Sequence, residues 1–254
     1  MRRFTLFIFF FLFLSNPVLA GRLKNAGDII DEVQRRLFRD PNTINSTDIY
    51  SGIQCFVWLN SAMLDLAMQL PVEVMPELTT INTADVVDSQ ADYALPNDTT
   101  TGVFLRFMAC EAYLVVSSTP IPTRYWCTEI PIEKVRETEL IAAYVPLLTN
   151  PYCYIFNDSV WFIRDSTGST PSVASTAQNN EGIKLYYIRE PKEVTLDADV
   201  PEFEKTFYDL LVTGVLRRAY EKNKDWSAVK AMQELWDLSI AKHQAKIKPR
   251  KSVE

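Results

Sequence analysis

Few side chains of this 254-residue chain have the types needed for acid–base or nucleophilic chemistry. His243 is the only histidine, so a serine–histidine or cysteine–histidine catalytic pair would have to use it. Two acid pairs are close in sequence, Asp197 with Asp199 and Glu137 with Glu139, but their polar surroundings are typical of solvated faces and loop caps. The motifs of phosphate-binding loops, zinc proteases and α/β-hydrolases are absent. We therefore predict no catalytic site, and a packing or capping role for His243.

The four cysteines, Cys55, Cys110, Cys127 and Cys153, are widely spaced and include no CxxC pair. With one histidine and this spacing, a zinc site of cysteine and histidine ligands is not expected, and the sequence predicts no metal and no cofactor. The chain is also too long to need disulfides for its stability. We predict reduced, buried thiols, because a free cysteine packs as a small hydrophobic residue.

The charge distribution limits the possible partners of the chain. The formal net charge of −6 argues against a general attraction to nucleic acid, which requires clustered lysine and arginine. An acidic protein can nevertheless line a channel through which DNA slides without sticking. Basic residues gather near the C-terminus, at Lys246, Lys248, Arg250 and Lys251. We predict that this tail contacts an acidic surface of a partner, and a solvated, frayed terminus remains the alternative.

Residues 1–20, MRRFTLFIFFFLFLSNPVLA, have the pattern of a secretory signal peptide. Two arginines precede an apolar run, and a small residue precedes Gly21. The run is short for a membrane span. Two interpretations stay open: a cleaved signal peptide, or a retained hydrophobic segment buried between subunits of an assembly. Glycosylation sequons at Asn45, Asn97 and Asn157 would fit export, although such triplets often arise by chance.

Apolar spacing predicts helices at both ends of the chain. One helix runs from Ala26 to Leu37, and a second begins with Thr47 as its N-cap and stops at Pro71. Its main apolar stripe is Ile49, Ile53, Phe56, Met63 and Ala67, and further apolar residues indicate burial on more than one side. A third helix, from Pro201 to Tyr220, also has two apolar faces. Asp225 caps a final helix whose inward residues are Val229, Met232, Trp236 and Ile240.

The middle of the chain has strand character. The predicted strands are Thr79–Thr83, Tyr93–Leu95, a run from Phe104 to Val116, and Ile183–Arg189. A hairpin joins Tyr152–Ile155 to Val160–Arg164 through Asn157 and Asp158, which tolerate a left-handed turn. A short helix is expected around Ile132–Ala143, and residues 165–182 form a polar loop suited to intermolecular contact.

The resulting fold class is α+β: a helical bundle built from the N- and C-terminal helices, with a β-rich insert that carries a hairpin and a long loop. The expected divisions are a hydrophobic segment over 1–20, N-terminal helices over 21–75, the β-rich insert over 76–195, C-terminal helices over 196–246, and the basic tail over 247–254.

Several short motifs recur in a fixed order. Tyr93-Ala94-Leu95-Pro96 precedes a strand, and Asn150-Pro151-Tyr152-Cys153-Tyr154-Ile155 leads into Val160-Trp161-Phe162-Ile163. Leu185-Tyr186-Tyr187-Ile188-Arg189-Glu190-Pro191 and Asp199-Val200-Pro201-Glu202-Phe203 follow, before the long helix through Arg218. In this order, over residues 28–245, the chain resembles the head-to-tail connector adaptors of tailed bacteriophages, including the ring proteins of podovirus tails.

The resemblance implies a structural virion protein rather than an enzyme. It implies a homo-oligomeric ring, commonly dodecameric, that docks under the portal protein, contacts further tail ring proteins and extends the DNA channel without binding DNA specifically. Such a ring is assembled in the host cytoplasm and has no membrane contact once assembled. The alternative function is an exported binding module of a bacterial envelope, in the periplasm or beyond, with a cleaved signal peptide.

Overall fold

The structure, a computed structural model, describes residues 24–37, 50–85, 90–98, 102–112, 124–135, 151–163 and 181–246. These residues form two units. A helical unit combines the described residues before Leu78 with those after Glu190, and a β unit contains the described residues between them. The predicted α+β fold class is therefore confirmed, with helices from both ends of the chain and a β insert.

The helical unit contains four long helices: α1 (Ala26–Arg36), α2 (Gly52–Gln69), α3 (Tyr208–Lys222) and α4 (Trp226–Lys246). Helix α3 packs against each of the other three and is therefore the centre of this unit. Its buried residues cover two faces, as the sequence predicted: Leu210, Leu211, Val212, Gly214, Val215, Leu216 and Ala219. The first helix was also predicted within one residue of its observed end.

The prediction that α2 starts after Thr47 is wrong. Ser51 is the N-cap, and its side-chain oxygen accepts a hydrogen bond from the backbone N–H of Gln54 at 3.3 Å. Tyr50 lies in a turn, where its carbonyl oxygen accepts a hydrogen bond from Gln34 Nε2 at 3.1 Å. That long-range contact holds the chain out of helical geometry just before Ser51.

The prediction that α3 starts at Pro201 is also wrong. Glu204 has an extended backbone, with φ −56° and ψ 144°, and a short 3-10 turn over Lys205–Phe207 leads into the helix. The prediction that Asp225 caps the final helix is confirmed. Its side chain accepts a hydrogen bond from the N–H of Ala228 at 3.1 Å, at the start of α4. Trp236 and Ile240 of α4 are buried, and Val229 and Met232 are half-buried.

Gly214 of α3 lies where three helices come closest together. A Cβ atom at this position would lie 2.7 Å from Trp236 of α4 and 2.9 Å from Ala62 of α2. Both distances are shorter than van der Waals contact, so a side chain here would push the helices apart. The missing side chain therefore lets Trp236 fill the space between α2 and α3.

The β unit contains two four-stranded sheets. Its strands are β1 (Thr79–Ala84), β2 (Asp92–Ala94), β3 (Phe104–Ala112), β4 (Tyr125–Trp126), β5 (Thr128–Glu129), β6 (Tyr152–Phe156), β7 (Ser159–Phe162) and β8 (Ile183–Arg189). The first sheet has the order β1-β8-β3-β4 and the second β2-β7-β6-β5. Buried residues from both sheets form one core, which includes Tyr93, Leu95, Phe162, Leu185 and Tyr187.

The predicted hairpin is β6 and β7. Asn157 and Asp158 form its two-residue turn with φ values of 46° and 54°, the left-handed pair of a type I′ turn. Among the other predictions for this region, the residues beyond 112 in the long strand, the short helix beyond 135 and nearly all of the 165–182 loop lie outside the described residues. So do residues 1–20 and 247–254.

Candidate assembly surface

Helix α2 presents a row of exposed apolar side chains. Ile53, Val57, Leu64 and Met68 are 67%, 54%, 38% and 50% exposed. Their spacing of four, seven and four residues places them on one side of the helix. The opposite side carries the buried residues Cys55, Trp58, Leu59, Ala62, Met63 and Leu66. The predicted buried stripe was therefore partly wrong, since Ile53 belongs to the outward row.

Helix α2 carries a single charged side chain, Asp65, and that charge is already paired. Asp65 Oδ2 accepts hydrogen bonds from Arg217 at 2.8 Å and from Arg218 at 2.7 Å, both on α3. The outward row thus contains no charged residue. An exposed apolar row on a helix whose opposite side is already buried has the composition of a contact surface.

A groove of about 390 Å³ lies beside the N-terminal half of the outward row. Its walls are α2 residues, Ile53, Phe56, Val57, Asn60 and Ser61, together with residues 193–195. Asn60 fixes this second wall: its Nδ2 donates to the carbonyl oxygen of Val194 at 3.0 Å, and its Oδ1 accepts from the Val194 N–H at 2.9 Å. Glu193 is the one ionisable residue in the lining. The groove is therefore suited to an apolar surface rather than to a charged ligand.

The acid pair Asp197 and Asp199, just beyond this wall, has a structural role. Asp199 Oδ2 accepts hydrogen bonds from the N–H groups of Thr195 and Leu196 at 2.7 and 2.9 Å, and these bonds lower the pKa of Asp199. Asp199 is thus a loop cap, as predicted. Burial raises the pKa of Asp31 of α1, and the nearby charge of Asp197 raises it further. Glu137 and Glu139 lie outside the described residues.

A family model described as SU10 adaptor protein matches residues 24–249. The chain belongs to this family. It is a family of phage head-to-tail adaptors, so the suspected resemblance is confirmed and the protein is a phage structural adaptor. A search of curated proteins finds no match. The family match starts at residue 24 and leaves out the signal-like segment.

The structure also locates His243 and the first residue of the basic tail in this adaptor. The His243 ring lies 4.5 Å from that of Phe207, in agreement with a packing role. Lys246 is the last residue of α4, whereas Lys248, Arg250 and Lys251 lie outside the described residues. Within the described parts of the chain, no cluster of potential ligands is arranged to hold a metal ion. Nor does any described helix have the length and apolarity required to span a membrane.

Proposed function

We propose that this adaptor assembles into a closed ring in the head-to-tail connector, and that the outward row of α2 contacts the neighbouring copy of the same chain. The main observation in support of this proposal is that α2, a helix without a free charge, exposes Ile53, Val57, Leu64 and Met68. Soluble monomers rarely leave such a row in water, and a cyclic assembly covers it in every subunit by one repeated contact. Family membership supports the same role.

A second copy fits this surface better than a charged partner does. The row and its groove offer apolar area and one acid, Glu193, and so give little electrostatic attraction to nucleic acid or to a strongly basic protein. In a ring, each subunit meets its neighbour through two different faces, so the partner surface need not be a copy of the α2 row. The protein's net charge of −6 is compatible with a channel past which DNA moves without specific binding.

The double variant Ile53→Asp/Val57→Asp should prevent ring formation while leaving the fold intact. Both positions are more than half exposed, so aspartate meets water in the monomer, but in the ring the two carboxylates would be desolvated without a partner. At position 53, in the first turn of α2, the acid also suits the helix dipole. Native mass spectrometry of the purified full chain should show rings for the unmodified protein and monomers for the variant.

Leu238→Asp is the matched control, because Leu238 is 68% exposed on α4 of the same unit. It should form rings as the unmodified chain does. Equal loss of assembly in both variants would show that the effect is not specific to α2. A monomeric unmodified chain, under conditions where the portal protein is also present, would contradict the ring.

The proposed role includes docking to the portal through the basic tail, at Lys246, Lys248, Arg250 and Lys251. Neutralising it in Lys248→Gln/Arg250→Gln/Lys251→Gln should weaken binding to the portal about tenfold at low salt and reduce the salt dependence of binding. Ring formation should be unchanged. The control Lys222→Gln/Lys224→Gln/Lys230→Gln removes the same charge from exposed positions of the helical unit. If both triple variants bind the portal equally well, the tail is a solvated terminus.

We also infer that the role is structural and that the mature protein resides in the virion, in the tail connector. Family membership supports both inferences. The lining of the groove combines apolar side chains with uncharged polar ones and a single carboxylate, and this composition suits packing rather than proton transfer or nucleophilic attack.

A further inference from the structure

Three of the four cysteines meet in the core of the β unit. Cys110 lies in β3 and Cys153 in β6, and both are fully buried. Cys127 lies between β4 and β5, where the chain passes from the first sheet to the second, and it packs against the same core. The three thiols therefore share the corner at which the two sheets join, although they are far apart in sequence.

The strand register places Cys110 opposite Cys127. In the antiparallel pair of β3 and β4, Glu111 is opposite Trp126 and Ala112 is opposite Tyr125. The next pair in this register is Cys110 with Cys127, and the Cys127 N–H donates to the Cys110 carbonyl oxygen at 2.8 Å. Residues in such a pair have Cα atoms about 5.5 Å apart. That separation is within the range of Cα distances that a disulfide spans, roughly 4.4 to 6.8 Å, so the two thiols are close enough to be joined after small local adjustments.

Cys153 approaches from the second sheet. It is paired in parallel register with Glu129 of β5, and its carbonyl oxygen accepts the N–H of Ile130 at 3.0 Å. Hydrogen bonds from the thiols of Cys110 and Cys127 lower the pKa of Cys153. The pKa of Cys127 is raised by its hydrogen bonds to Cys110 and Cys153 and by burial. One thiol of the cluster is thus more acidic than an ordinary cysteine.

Cys55 provides the contrast within the same chain. It is buried on α2, and its thiol donates to the backbone carbonyl of Tyr50 at 3.7 Å. Burial raises the pKa of Cys55 to about 12, which keeps it protonated. Because the thiolate is the reactive form of cysteine, Cys55 should be inert under conditions in which the cluster reacts.

We propose that Cys110, Cys127 and Cys153 form an oxidation site that reduces one molecule of hydrogen peroxide and stores the oxidation as a single disulfide between two of the three thiols. The thiolate of one cluster cysteine attacks a peroxide oxygen, the O–O bond breaks, and the departing hydroxide takes up a proton to become water. The resulting sulfenic acid is attacked by the sulfur of a neighbouring thiol. The S–S bond forms, the S–O bond breaks, and the oxygen leaves as a second water with the thiol proton.

The reaction consumes two thiols and one peroxide and leaves the third thiol unchanged. Its product cross-links strands at the junction of the two sheets and so restricts unfolding of the β unit. A phage connector is assembled in a reducing cytoplasm and later released into an oxidising medium, so the disulfide would form after release. This timing rests on the proposed function, whereas the chemistry of the cluster does not.

Treatment of the purified full chain with hydrogen peroxide tests the proposal. Thiol counting after denaturation without reductant should fall from the four thiols of the untreated chain to two, and the intact mass should fall by two hydrogen atoms. Peptide mapping should find a disulfide between two cluster cysteines, with Cys55 still a thiol. The oxidised protein should unfold at a higher temperature than the reduced one, and dithiothreitol should reverse the difference.

Two variants separate the cluster from general oxidation. With peroxide, Cys55→Ser should form the cluster disulfide as the unmodified chain does, whereas Cys110→Ser/Cys153→Ser keeps one cluster thiol and should form no disulfide within the chain. If the double variant does not fold, the unmodified chain gives the same information, because peptide mapping of the peroxide-treated chain shows whether the disulfide joins two cluster cysteines. A disulfide that includes Cys55, disulfides only between chains, or a mass gain from oxygen without loss of hydrogen would overturn the proposal.

Discussion

Replacing Trp236 with alanine should lower the free energy of unfolding of the helical unit by about 3 to 5 kcal/mol. Trp236 has no exposed surface and occupies the space that Gly214 leaves between α2 and α3. Its Nε1 donates to Gln69 Oε1 at 2.9 Å, and the Arg217 guanidinium lies over its ring at 5.7 Å. Alanine removes all of these contacts and leaves a cavity. Urea unfolding followed by the helical circular-dichroism signal measures the loss.

Trp226→Ala is the control, since Trp226 is on the same helix but 63% exposed. It should change the unfolding free energy by no more than about 0.5 kcal/mol. All proteins need the same subunit concentration, because assembly raises apparent stability by mass action. Similar losses for Trp226→Ala and Trp236→Ala would contradict the central position assigned to Trp236. Trp236→Phe, which keeps most of the ring volume, should be less destabilising than alanine.

Local features of this fold were readable from the sequence because their causes are local. Asn157 and Asp158 both accept positive φ values, so the hairpin followed from two residues and the flanking strand pattern. Asp225 was likewise identifiable as the cap of α4, because its side chain reaches an N–H only three residues away. The start of α2 differed, since Gln34 holds Tyr50 in a turn through a contact that sequence spacing does not reveal.

Only part of the candidate assembly surface could be predicted from the sequence, for a similar reason. Apolar residues on more than one side of α2 were evident from the sequence, and they indicated burial on more than one side. Which side faces the bundle depends on the approach of Gly214 and Trp236 to Ala62, a tertiary event. Ile53 was therefore assigned to the wrong side. The cysteine cluster was not foreseen at all, because it depends on the crossing of the chain between two sheets at Cys127.

Replacing Asp65 with alanine should lower the unfolding free energy by about 2 to 3 kcal/mol. Asp65 holds two arginines, Arg217 and Arg218, whose side chains are only 17% and 16% exposed. Without the carboxylate, two poorly hydrated positive charges stay side by side on α3, and removing one partner from such a group costs more than the pair contributes in place. The cost stays below that of a fully buried pair, since Asp65 itself is 34% exposed.

A further variant separates the charge of Asp65 from its hydrogen bonding, and a control variant on α4 accompanies it. Asp65→Asn keeps an oxygen that can accept from one arginine but removes the negative charge, so it should be destabilising by less than Asp65→Ala. Asp237→Ala is the control, because Asp237 is exposed on α4 and accepts a single hydrogen bond, from Gln233 Nε2 at 2.8 Å; its cost should not exceed about 0.5 kcal/mol. If urea unfolding gives Asp65→Ala and Asp237→Ala the same stability, the two arginines find enough water without Asp65. The prediction would then be contradicted, and the other contacts of the two arginines, to Gln233 and to the Gly214 carbonyl oxygen, would be sufficient to hold them.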